Sequence, residues 1–246
     1  MNKVLEATGV SKAFGDKKVL ENVNISLNKG EIVSLLGVSG VGKTTLFHIL
    51  SGLSCPDEGK VFFNGEKDIT GVPGSVSYML QKDLLLPYKK VADNVAMPLI
   101  LNGMKRKDAV AKVNDLFDEF GIEGTQGMYP VELSGGMRQR AALLRTYVAS
   151  KGVALLDEPF SALDTITKKM IHKWFLDVMG KIDLSVFFIT HDIDEAITLS
   201  DRIYVLGGSP GQVVKEIDLG GKKKKEFELT PEFLEVKKEV IEALKI

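Results

Sequence analysis

Residues 32–52 confine this chain to a narrow set of folds. IVSLLG (32–37) is apolar except for Ser34, as expected of a strand buried on both faces. GVSGVGKT (37–44) follows without a gap. TTLFHILSG (44–52) then places Leu46, Ile49 and Leu50 on one helical face, with Gly52 near the C-cap. The same strand-then-helix alternation returns later in the chain, and it predicts a largely parallel α/β sheet.

The loop between strand and helix fits G-x-x-x-x-G-K-[ST]. Gly37, Gly40 and Gly42 let the backbone of residues 37–42 (Gly37, Val38, Ser39, Gly40, Val41, Gly42) wrap tightly, so that successive N–H groups point at phosphate oxygens. The helix adds the positive end of its dipole. Lys43 is expected to reach β- and γ-phosphates, and the Thr44 hydroxyl to hold Mg²⁺. A plain glycine-rich turn is the bland alternative, and the strand and helix flanks argue against it.

Before this unit, VLEATGVSKAF and KVLENVNISLNKG read as β-strands separated by turns. Residues 82–150 change character. DAVAKVNDLFDEFG (108–121) sets Val110, Val113, Leu116, Phe117 and Phe120 at helical spacing and ends on Gly121, which predicts one helix. A second helix is expected from LSGG (133–136) through Tyr147. Strand chemistry resumes at VALLD (153–157). A helix over about 165–179 carries Ile166, Met170 and Trp174, and VFFIT (186–190), DEAITLS (194–200) and RIYVLG (202–207) continue the alternation. GGSPGQ reads as a turn into a last strand, and PEFLEVKKEVIEAL (231–244) as a final helix. The expected organisation is a single domain, 1–246, with a core of 1–81 and 151–246 and a helical insert at about 82–150.

Two further stretches carry chemistry. VALLDE (153–158) is a buried-strand pattern that delivers Asp157 to the edge of a sheet, where a carboxylate holds Mg²⁺ through water. Glu158 comes next and projects differently. In LSGGMRQR (133–140), Ser134 can cap a helix, and Gly135 and Gly136 allow backbone to approach a phosphate closely. Alone, each has a structural reading: solvated acids at a strand end, or an ordinary helix start.

In this order and spacing, GVSGVGKTT, LSGGMRQR, VALLDEP and a lone His191 resemble the ATP-binding cassette (ABC) ATPases. The likeness runs from about Phe14 to His191 and more weakly to residue 246. It implies a P-loop NTPase fold with a mostly parallel core sheet, N-terminal antiparallel strands and a helical subdomain. It implies ATP and Mg²⁺ as ligands, with Thr45 at the α-phosphate and Phe14 stacked on adenine. Glu158 becomes the general base, His191 a γ-phosphate contact that orients the water, and Gln81 a metal or water ligand that reports to the helical insert. Ser134, Gly135 and Gly136 would meet the γ-phosphate held by a second subunit, and Asp164 of SALD (161–164) would lie at that dimer interface. Met137 departs from the glutamine frequent at its position, which leaves the phosphate contacts of Ser134 and the glycines untouched.

Fragments such as LLLPYKKVADNVAMPL, LLDEPFSALD, FITHDIDEAITLSDRIYVL and the short SPGQ turn resemble one branch, the nitrate/sulfonate/taurine-type importers, which includes importers of pyrimidine-type vitamin precursors. The implied partners are a second copy or a related subunit, transmembrane permease subunits and, indirectly, an extracytoplasmic solute-binding protein. The implied place is the cytoplasmic face of the membrane. Leu84, Leu85 and Tyr88 are the candidate docking patch, with a core role for the leucines as the alternative. Two rival classes are a soluble ABC ATPase serving cofactor assembly or translation, and a nucleotide-binding module without turnover.

Composition narrows the field further. A net charge of −1 over 246 residues supplies no basic field for nucleic acid. One cysteine, Cys55, excludes an internal disulfide. No apolar run reaches spanning length and the N-terminus lacks a signal-peptide core, so the chain is expected to be soluble, with any membrane role exerted through a partner. His48 and His172 form no metal-ligand spacing, Cys55 has no partner and no obvious base, and Lys222–Lys225 reads as a solvated turn.

Overall fold

A computed structural model describes residues 2–65, 67–161, 163–220 and 227–245. The lysine run 222–225 lies outside the described residues. The chain opens with β1 (Lys3–Phe14), β2 (Lys17–Asn28), β3 (Ile32–Leu36) and α1 (Lys43–Leu50). It continues through β4 (Glu58–Phe63), β5 (Lys67–Asp68) and β6 (Ser77–Met79) into a helical stretch: α2 (Val91–Leu101), α3 (Arg106–Asn114), α4 (Leu116–Glu119) and α5 (Gly135–Ala149). It then alternates β7 (Val153–Asp157), α6 (Thr165–Met179), β8 (Ser185–Ile189), α7 (Ile193–Leu199), β9 (Arg202–Gly207), β10 (Gln212–Asp218) and α8 (Pro231–Leu244).

Two sheets result. One is antiparallel, in the order β2-β1-β4-β5; the other runs β10-β9-β3-β8-β7-β6 and is parallel except for its β10 edge. All five residues of β3, β7 and β8 are buried, the continuous apolar pattern of strands covered on both faces. Side chains alternate between those faces. Ile32, Ala154, Leu156, Val186 and Phe188 pack toward the helical stretch. Val33, Leu35, Val153, Leu155, Phe187 and Ile189 pack toward α1 and the antiparallel sheet. A third cluster seats α7 and α8 against Leu36, Ile203 and Val205. Each fully buried phenylalanine contributes roughly 1.5–3 kcal/mol.

This order positions the site. β8 lies between β3 and β7, and Leu35 and Asp157 both pair with Ile189. The C-terminal ends of β3, β8 and β7 therefore form one row, the edge at which open α/β sheets bind ligands.

Two expectations are corrected. Residues 108–121 do not form one helix: the ladder breaks at Asp115, between α3 and α4, although its backbone stays helical. Asp competes for local backbone hydrogen bonds and favours helix ends. On α6, the core face is Ile171, Phe175 and Val178, while Ile166 and Met170 are exposed and Trp174 is half-buried against Phe120 and Arg140. α2 carries no clear sequence signal, because Pro98 interrupts its pattern; burial of Val91, Ala92, Val95 and Ala96 holds the helix together around it.

The turn at 207–212 buttresses the glycine loop. Gly211 N donates to Val19 O at 2.9 Å, and its own carbonyl accepts from Glu21 N at 3.1 Å. A Cβ on Gly211 would lie 2.2 Å from Val41 O, a backbone atom that cannot swing aside. Gly211→Ala is expected to lower stability by about 1–3 kcal/mol through overpacking and to weaken ATP binding by displacing Val41. Thermal unfolding with and without ATP checks both effects.

Candidate functional site

Gly40 (φ 81°) and Gly42 (φ 111°) take left-handed backbone that folds residues 37–42 into a cradle, and α1 starts at Lys43. No acidic residue occupies the first turn of α1, so its free N–H groups and dipole favour an anion. Val38 and Val41 serve the cradle through backbone: Val41 is buried and Val38 points outward. Lys43 Nζ donates to Gly37 O at 2.7 Å and Val38 O at 3.0 Å. Burial pulls the Lys43 ammonium below its ordinary pKa, and the nearby Glu158 and Asp157 charges oppose that shift. A cleft of about 390 Å³ opens here, and its walls include Ser39, Gly40, Thr44, Thr45, Glu158 and His191.

Asp157, at the end of β7, faces Thr44. Thr44 Oγ1 lies 3.4 Å from Asp157 Oδ2, and Tyr78 Oη donates to the same oxygen at 3.1 Å. Burial raises the Asp157 pKa, while the Tyr78 bond pulls the other way. Burial and the adjacent carboxylate push the Tyr78 phenol up, so it stays a donor. Sequence reasoning missed Tyr78. The available signal was a hydroxyl-bearing aromatic in the short strand three residues before Gln81.

Glu158 is the first residue past β7 and adopts φ 45°, a left-handed backbone costing roughly 1–3 kcal/mol in a non-glycine residue. Its N–H donates to Ile189 O at 3.1 Å, and the turn swings its carboxylate out of the strand direction. Glu158 Oε2 accepts from Gln81 Nε2 at 3.0 Å, and Oε1 lies 3.3 Å from His191 Nδ1. Three expected catalytic residues, Gln81, Glu158 and His191, thus converge from beyond β6, β7 and β8.

The remaining expected residues do not line the cleft of Lys43, although Gly135 lines an adjoining cavity of about 750 Å³ with Gln81, Glu158 and His191. Ser134 is the N-cap of α5, its Oγ accepting from Met137 N at 3.2 Å, and Gly135 and Gly136 form the first turn. None of the three lines the cleft of Lys43. Asp164 caps α6, with Oδ1 accepting from Ile166 N and Thr167 N at 3.1 Å each. Phe14, 58% exposed, ends β1 with Lys12 Nζ 5.5 Å from its ring centre. The proposed patch needs one correction. Leu84 and Tyr88 are 51% and 72% exposed, but Leu85 is only 7% exposed and packs in the core with Val91 and Val95. Arg145 fixes this segment by donating to the carbonyls of Asp83 and Leu84.

A phosphate cradle with its lysine, a buried strand-end aspartate beside the loop threonine, and a glutamate held by a glutamine and a histidine define a P-loop ATPase. The family model described as "ABC transporter" matches residues 20–161, and the chain belongs to that family. A formylaminopyrimidine import ATP-binding protein of Halalkalibacterium halodurans is 36% identical over 231 residues, 94% of this chain and 90% of that one. A nitrate import ATP-binding protein of Synechocystis is 35% identical over 219 residues, 87% and 82% of the two chains. An aliphatic sulfonates import ATP-binding protein of Bacillus cereus is 39% identical over 208 residues, 85% and 81%. Among solved structures, a dimeric post-hydrolysis ATP-binding cassette bound to ADP and phosphate superposes with a TM-score of 0.73 at 28% identity, covering 88% of this chain and 99% of that one. The chain is therefore an ATP-binding, ATP-hydrolysing cassette, of a class whose members dimerise. Among the described residues, no helix is long and apolar enough to cross a membrane.

Proposed function

We propose that this chain is the ATP-hydrolysing subunit of an importer for a small solute of the nitrate, sulfonate or pyrimidine-precursor kind, working at the cytoplasmic face of the membrane on transmembrane permease subunits fed by a solute-binding protein. The relatives' names support the solute class. The observation that carries the hydrolytic reading is the meeting of Gln81 and His191 on Glu158 beside the lysine cradle.

In this reading Lys43 leaves its two loop carbonyls for the β- and γ-phosphates, an exchange of neutral for charged acceptors. The N–H groups of residues 38–45 hold the phosphate chain, and Phe14 stacks on adenine. Thr44, Asp157 and the free amide oxygen of Gln81 offer the all-oxygen set that suits Mg²⁺. Bound Mg²⁺ would neutralise charge on the β- and γ-phosphates. Glu158 accepts a proton from the attacking water, and His191 keeps the carboxylate and the γ-phosphate in register. Ser134, Gly135 and Gly136 of a second copy, or of a related subunit, close over the γ-phosphate near Asp164. Hydrolysis removes the phosphate that bridges the two chains, and the helical stretch moves with the opening interface.

Leu84 and Tyr88 are exposed large apolar side chains in the segment between Gln81 and α2, where a permease helix would dock. Carboxylates at both positions are expected to release the chain from native membranes while the purified chain keeps its ATPase rate. Co-purification of a polytopic membrane protein with the parent chain, and not with L84D/Y88D, checks this. Retention by the double variant would refute the docking assignment.

A further inference from the structure

His191 meets Glu158 because residues 190–192 leave β8 along a fixed path, and the groups that fix this path lie outside the ATP cleft. Asp192, next in the chain, uses both its oxygens. Oδ1 caps α7 by accepting from Glu195 N at 3.2 Å, and Oδ2 accepts from Lys168 Nζ at 3.1 Å. The Asp192 N–H donates to Thr190 Oγ1 at 3.0 Å. Lys168 also stands 3.6 Å from Glu195 Oε2, a carboxylate 3% exposed. It sits one turn into α6, and its N–H donates to Asp164 O at 2.8 Å. One ammonium therefore joins the helix that Asp164 caps to the segment that carries His191.

This bridge differs from an ordinary surface pair, which holds little because water screens it and both side chains are free to move. Lys168 is mostly covered and faces two carboxylates, one of them buried. Without the cation, Asp192 Oδ2 loses its charged donor, and the turn at 190–192 would relax away from its present path. Burial already pushes the Glu195 carboxyl up to about 7, against the pull of Lys168.

We propose that Lys168 is a positioning residue for ATP cleavage: it holds residues 190–192 so that the His191 ring stays on Glu158, and it ties that hold to the helix that Asp164 caps. The proposal rests on reading Glu158 and His191 as the hydrolytic pair. A displacement of about 1 Å near reacting groups costs up to about 100-fold in rate. Lys168 does not line the cleft of Lys43, so ATP binding is spared.

The test measures steady-state ATP hydrolysis by the full chain and by K168M, K168R, D192N and K168M/D192N, with E158Q as reference. Asn caps a helix about as well as Asp, so D192N keeps the α7 cap and loses only the bridge charge. K168M and D192N are each expected to lower kcat about 10-fold or more, with KM for ATP held within about twofold. K168R restores most of the rate, and the double variant is no worse than the poorer single, as for two ends of one interaction. A K168M/E158Q chain that still dimerises with ATP shows that the fold is intact; if K168M does not fold, D192N and K168R carry the test. Parental kcat in K168M or D192N, a loss confined to KM, or additive losses in the double variant would overturn the proposal. Full turnover by E158Q would instead remove the hydrolytic reading beneath it. An inactive E158Q beside a fully active K168M or D192N defeats only the role of Lys168.

Discussion

Glu158→Gln is expected to cut ATP turnover by about 10²–10⁴-fold, the range a general base contributes, or about 3–5 kcal/mol on the barrier at 1.36 kcal/mol per tenfold. The substitution changes charge and basicity while keeping shape. Gln fits the left-handed backbone at φ 45° no worse than Glu, since neither is β-branched. Its amide can still meet Gln81 and His191 at the two positions the carboxylate oxygens now hold, 3.0 and 3.3 Å away. The cleft also loses a negative charge that stands among the groups acting on Lys43. A triphosphate entering it meets less repulsion, so ATP binding persists or tightens. The variant then holds ATP without cleaving it and accumulates as a nucleotide-bound dimer. Light scattering with Mg²⁺ and ATP, alongside a phosphate-release assay, checks both halves. A variant that hydrolyses at the parental rate would show that another group activates the water, and a monomer at saturating ATP would count against the clamp.

Much of this site could be read from the sequence because its parts lie at strand ends and helix starts, where local chemistry is explicit. The unit 32–52 declares its strand, loop and helix, and Asp157 falls at the end of a five-residue run that is buried throughout. The bounds of α6 and α8 were expected at 165–179 and 231–244 and are observed there, because Asp164 and Thr230 cap them and Pro231 fits a first helical position. What stayed hidden depends on the third dimension. Leu84 and Leu85 are alike as letters, yet the left-handed backbone at Leu84 turns one outward and the other into the core. Tyr78 becomes part of the site only because β6 pairs with β7 in a register that brings its hydroxyl to Asp157. The left-handed turn at Glu158, which aims its carboxylate, has no signature in the residue type. Lys168 looks like any helix lysine until α6 packs on α7, and its partner Asp192 lies 24 positions away.

Mixing two inactive chains is expected to restore activity, and this outcome separates a site completed by a partner from one completed within the chain. The first chain is E158Q. The second is Ser134→Asp, which keeps the α5 cap because Asp caps as well as Ser. It places a carboxylate where a γ-phosphate is proposed to sit, so like charges meet. Each homodimer has two broken sites. In the mixed dimer, one site combines the intact Glu158 of the S134D chain with the intact Ser134 of the E158Q chain. The other site combines both defects. Random pairing makes half the dimers mixed, each with one working site, so turnover should recover to about one quarter of the parent. The reciprocal mixture, parent plus the doubly substituted E158Q/S134D chain, distributes the same substitutions the other way. Its mixed dimers have one defect in each site, so only the parental homodimers turn over. If Ser134 instead acted within its own chain, the first mixture would stay inactive, and the mixed dimers of the second would each keep a working site. The chains must be mixed before ATP is added, because E158Q pairs that close on ATP are expected to stay closed. The fold of one chain leaves both results open, because Gly135 lines a cavity with Gln81, Glu158 and His191 of its own chain. Ser134 itself does not line the cleft of Lys43, so the two mixtures decide which chain's Ser134 acts there.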